Sequence, residues 1–154
     1  MIESLRSLLD SLFGDGDSEP QTNRTHALEV ATAALMIEMA RADSVSQSAE
    51  HGAIVDLLKT RFLLDDEETA GLVALATEKT DAAASLHEFT QVLHDRLRAD
   101  EKLRLLEMLW GVALADQRAD RHEEALIRKI GDLLYVPRSQ QARIRLAALE
   151  PRGG

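Results

Sequence analysis

The sequence predicts an all-α fold, a compact bundle of about seven or eight helices in which one helix-turn-helix unit occurs twice. Three observations carry this expectation. Apolar residues recur at helical spacing along the body of the chain, no stretch keeps strand-like alternation, and one pattern is repeated. The pattern is Ala40-Arg41-Ala42-Asp43 followed by Glu50, which returns as Ala113-Leu114-Ala115-Asp116 followed by Glu123. Each copy is an apolar helix ending at Ala-Asp, a short polar bend and a second helix that opens with acid. Laying one copy on the other pairs Asp43 with Asp116, Gln47 with Asp120, Glu50 with Glu123, Ile54 with Ile127 and Leu57 with Ile130.

Leu5, Leu8, Leu9 and Leu12 give a short amphipathic helix at about 2–13, and Gly14 to Pro20 breaks it. The aspartates of that break lack the glycine and closing glutamate of a calcium-binding loop, so residues 1–24 read as an N-terminal amphipathic helix and a flexible acidic linker. The helical domain spans 25–154. Its first helix, about 25–42, carries Leu28, Ala31, Leu35 and Met39 on one face. After a polar bend, Ile54, Leu57 and Leu58 mark a helix at about 48–62.

Asp65-Asp66-Glu67-Glu68 places acids where the exposed N–H groups and positive dipole end of a new helix favour them. Ser85-x-x-Glu88 has the form of a capping box for a helix at about 85–98. Asp100 is expected to cap a helix at about 101–115 that buries Leu105, Met108, Leu109, Trp110 and Val112. Asp120 to Glu123 opens a helix at about 121–134, Pro137 breaks the helical run beyond it, and Ser139 can cap a last helix to Leu149.

Composition excludes several functions. The chain has 154 residues, enough for one domain with a real core. With 18 basic and 27 acidic residues its formal charge is −9, which disfavours nucleic acid and anionic membrane surfaces and suits cations or basic protein surfaces. The absence of cysteine removes disulfides, thiolate zinc sites and cysteine nucleophiles, and fits a reducing cytosol. No signal peptide is evident, and Glu29, Glu38 and Arg41 interrupt the most apolar stretch, so membrane insertion is not expected.

The chemistry centres on the second bend, where Asp116-x3-Asp120-x2-Glu123 gathers hard oxygen donors. Asp120 and Glu123 satisfy a helix capping box on their own. Asp116 fits capping less well, because it faces the negative pole of the preceding helix, and a divalent cation, an arginine or a free backbone amide would relieve it. Capping and cation binding both stand at this point. The first bend offers Asp43 and Glu50, with neutral Gln47 in place of Asp120. Calcium or magnesium suits these donors better than zinc.

The histidines give less. His87-Glu88-x-x-Gln91 lacks the second histidine of a zinc protease helix, His94-Asp95 reads as a surface pair, and His122, in the acidic bend, reads as a solvent-facing residue with a fringe ligand as the alternative. No phosphate loop, nucleophile elbow or dinucleotide fingerprint is present, so no catalytic residues are expected.

Three segments carry a resemblance: Ala34 to Asp43, Phe89-Thr90, and Leu109 to Asp116 continuing through Asp120 to Ile130. Together they resemble the TerB-like family, named for bacterial tellurite-resistance proteins, over about 25–147. The resemblance implies an all-helical domain of two related halves and a bacterial cytosolic protein linked to stress or tellurite resistance. It also implies metal ligands at Asp43, Glu50, Asp116, Asp120 and Glu123, and an unidentified protein partner, with a membrane-associated stress complex as one candidate. The chain departs from the family pattern at Ser44 and Gln117, where glycine is favoured, and at Gln47, where aspartate is favoured.

The expected function is a non-enzymatic cytoplasmic module that binds a divalent metal ion and a protein partner, with a homo-oligomer left open. A purely structural or interaction domain without metal is the alternative, and a metal-dependent hydrolase a third.

Overall fold

The computed structural model describes residues 21–42, 48–77, 81–115 and 121–150. Among them are seven helices and no strand: α1 (Gln21–Ala42), α2 (Ser48–Phe62), α3 (Asp66–Ala76), α4 (Ala82–Arg96), α5 (Ala99–Ala115), α6 (Arg121–Leu133) and α7 (Arg138–Leu149). The expected helix at 2–13 and linker at 14–20 lie outside the described residues. No described helix is long and apolar enough to cross a membrane. The chain divides into two compact units, Met1–Val92 and Leu93–Gly154.

In the first unit α2 and α3 pack on α1 and on each other. α1 is buried at every position from Ala27 to Ala40 except Glu29, because five alanines in that run leave room for close neighbours on several sides. Thr32 is accommodated there by donating its hydroxyl to the Leu28 carbonyl at 2.7 Å. The acidic run does cap α3. The Glu68 amide donates to Asp65 Oδ1 at 2.7 Å while Glu68 Oε1 accepts the Asp65 amide at 3.0 Å, a complete capping box.

Three other caps differ from expectation. α4 begins at Ala82, so Ser85 lies inside the helix, 4% exposed, and Asp81 takes the capping place by accepting the Ala84 amide at 3.4 Å. α5 begins at Ala99, and buried Glu101 rather than Asp100 reaches back to the Arg98 amide at 2.9 Å. α7 starts after Pro137 with no side-chain cap, and Ser139 falls within its first turn.

In the second unit α6 and α7 pack on α5 and on each other. Leu105, Leu109, Trp110 and Val112 are buried as the periodicity implies, whereas Met108 is half-buried.

The two units repeat a local structure. Leu63 after α2 and Tyr135 after α6 both take positive φ, 52° and 61°, and both are exposed. The following amide then bonds back to the last turn, Leu64 N to Lys59 O at 3.1 Å and Val136 N to Gly131 O at 3.0 Å. These are Schellman-type ends, each followed two residues later by the N-cap of the next helix, Asp65 or Pro137. They shift the sequence pairing by one residue along the second helix: Leu58, not Leu57, corresponds to Ile130, both fully buried. Phe62 likewise answers to Leu134.

Candidate functional site

Both bends join helix ends that the sequence located correctly. α1 stops at Ala42 and α2 starts at Ser48; α5 stops at Ala115 and α6 starts at Arg121. Asp43, Asp116 and Asp120 lie in the bends, outside the described residues, and so does the side chain of Glu50 in the first turn of α2. Glu123 is described: it occupies the third position of α6 and is half-buried. The next residue, Glu124, pairs with Arg145 of α7 at 3.3 Å. No group of three or more metal-binding side chains occurs among the described residues.

Directly before the first bend, Arg41 Nη1 donates to Glu38 Oε1 at 2.6 Å. Glu38 is fully buried and the Arg41 side chain 5% exposed. A carboxylate held at such depth requires a cation beside it, and Arg41 also suits the negative end of α1.

The histidines take definite places. His87 and Glu88 are both exposed on α4. His94 differs from its expected surface pairing with Asp95: its Nδ1 lies 2.6 Å from Lys102 Nζ, and its ring stands 4.5 Å from the Tyr135 ring. Burial lowers the Lys102 pKa, against the opposing charge of Asp95. The side chain of His122 is outside the described residues. His26 bridges Glu29, at 3.0 Å from Nδ1, and Glu68, at 2.8 Å from Nε2.

Residues 29–146 match the family described as tellurite resistance protein TerB, a span that takes in both bends and all seven helices in whole or in part. The chain belongs to the TerB family. Comparison with curated proteins and with solved structures gives no match. As a TerB-family domain it is all-helical, in keeping with the resemblance read from its sequence.

Sequence reasoning missed the Glu38–Arg41 pair, although a signal was present. Acid and base three residues apart inside an apolar helical run face the same side, so each supplies the other's counter-charge. It also missed a cavity of about 420 Å³ in the second unit, lined from α5, α6 and α7. Its lining residues are scattered along the sequence, and only packing of the three helices assembles them.

Proposed function

We propose that this TerB-family domain is a non-enzymatic module that binds a divalent cation through its acidic inter-helix bends, with Asp116, Asp120 and Glu123 as the donors of the second bend and Asp43 and Glu50 as those of the first, and that engages a protein partner in a bacterial stress response. The family match across both acidic bends carries this reading. Two further facts support it. The donors are carboxylates in a chain with no cysteine, a set suited to calcium or magnesium. The half-buried Glu123 stands in the first turn of α6, next to the bend that supplies the other two acids. Such an ion would tie the end of α5 to the start of α6, and no catalytic step is assigned to it.

The test is thermal unfolding in calcium and in magnesium. An ion that binds only the folded state adds about 2.7 kcal/mol at one hundred times Kd. Wild type should therefore gain melting temperature, Asp116→Asn should gain less, and Gln47→Asp, which supplies the acid missing from the first bend, should enlarge the response. Equal, salt-like responses of wild type and Asp116→Asn would leave an interaction domain whose acids only cap helices.

A further inference from the structure

The cavity of the second unit is built for a ligand of opposite character to the acidic bends. Its apolar wall comes from Leu106 and Trp110 of α5, Ile127 of α6 and Ile144 of α7. Three arginines, Arg128, Arg138 and Arg145, line it against one carboxylate, Glu124, in a chain whose overall charge is −9. Glu124 and Asp132 each answer one of these arginines, which leaves one surplus positive charge on this concave surface.

The arginines are not equivalent. Arg145 is committed to Glu124 at 3.3 Å. Arg138 is committed to Asp132 at 3.0 Å, and Gln141, donating at 2.9 Å to the same carboxylate, fixes that pair in place. Arg128 makes no ion pair among the described residues, and it is exposed. A guanidinium beside apolar side chains, flanked by two more that are already anchored, presents a planar fork suited to a carboxylate. The volume suits a small molecule, since ligand pockets begin at about 300 Å³.

We propose that this cavity binds a small organic anion with an apolar body, its carboxylate on Arg128 and its hydrocarbon against Trp110, Leu106, Ile127 and Ile144. None of the acids proposed to hold a cation lines this cavity.

Trp110 is the only tryptophan of the chain, so its fluorescence reports occupancy directly. Full-length protein is titrated with decanoate below its micelle concentration, in parallel with decanol, acetate and anionic phospholipid vesicles. Decanoate should change Trp110 emission saturably, decanol should bind at least about tenfold more weakly, and acetate should have no effect. Arg128→Ala should weaken decanoate about tenfold with Arg128→Lys between, and Ala142→Phe, which fills the cavity from exposed α7, should abolish binding. Unchanged melting temperatures of the variants show that the fold is intact. Equal responses to decanoate and decanol, indifference to Arg128→Ala, or a response to vesicles alone would overturn the proposal.

Discussion

His26 of α1 reaches Glu68 of α3 at 2.8 Å through Nε2, while its Nδ1 lies 3.0 Å from Glu29. Both ring nitrogens therefore face carboxylates, and only the doubly protonated ring can donate to both. Glu68 is at the same time the third residue of the α3 capping box, so one carboxylate serves the helix start and the link to α1.

This arrangement sets a pH dependence. Burial disfavours the charged ring, but the hydrogen bonds to Glu29 and Glu68 and their negative charge outweigh it, and the His26 pKa lies above its ordinary 6.5. A raised folded-state pKa means stability that is fully present below about 6.5 and is lost as pH rises through the folded value. Wild type should thus lose more stability than His26→Gln between pH 6 and pH 8. The His26 side chain is 37% exposed, so solvent screening keeps the difference below about 1 kcal/mol. Parallel pH profiles of the two proteins in urea unfolding would contradict it.

Trp110 is 4% exposed on α5, between Leu109 and Val112, which are fully buried. Trp110→Ala should destabilise the protein by about 3–5 kcal/mol in chemical unfolding, toward the lower end because one side of the ring borders the cavity. A loss under about 1 kcal/mol would place the side chain's role in surface contact rather than in the core.

Helices were legible in this sequence wherever apolar spacing was strong, and their ends were legible where a single residue type forces the geometry. Asp65 and Glu68 form their capping box because Asp65 stands on exposed sequence directly ahead of the helix, which leaves its side chain free to cap, while Glu68, 8% exposed, reaches back to its amide. Ser85 satisfies the same pattern with Glu88 but is buried at 4%, and tertiary packing continued the helix past it back to Ala82. The start of α1 at Gln21 was missed because Gln21 to Arg24 carries no apolar periodicity. The one-residue slip at Leu58 and Ile130 was hidden because a leucine stands at both Leu57 and Leu58. Of the candidate site, spacing alone could nominate Asp116, Asp120 and Glu123, since they are near neighbours in sequence. The arginines of the cavity come from two helices and acquire a common surface only on folding.

Leu63 is 84% exposed with φ at 52°, a conformation that costs a side chain with a Cβ about 1–2 kcal/mol. Glycine removes that strain and gives back about 0.5–1 kcal/mol through unfolded-state entropy. Leu63→Gly should therefore stabilise the protein by about 0.5–1 kcal/mol, as glycine does at this place after many helices. Tyr135→Gly should gain less, because the Tyr135 ring also contacts His94. Unfolding curves in which Leu63→Gly is the less stable protein would show that Leu63 makes contacts its exposure conceals.

Glu38 and Arg41 offer the sharpest test of how α1 tolerates charge inside its buried run. The carboxylate is fully buried, the guanidinium nearly so, and their contact is 2.6 Å. Removing one member of such a pair takes the nearest counter-charge from the other in a medium that solvates it poorly, at a cost of up to about 3–5 kcal/mol, whereas apolar residues in place of both are often tolerated. Arg41→Met and Glu38→Met should each destabilise by that order, and the double substitution should cost clearly less than their sum. If the two losses add without coupling in a double-mutant cycle, the pair does not act as a unit, and each residue owes its place to other neighbours. Because the pair ends two positions before Asp43, the single variants should also be assayed for the calcium and magnesium response. A cation held only at the second bend predicts that the response survives both, and a cation bound also at the first bend predicts that it weakens with the end of α1.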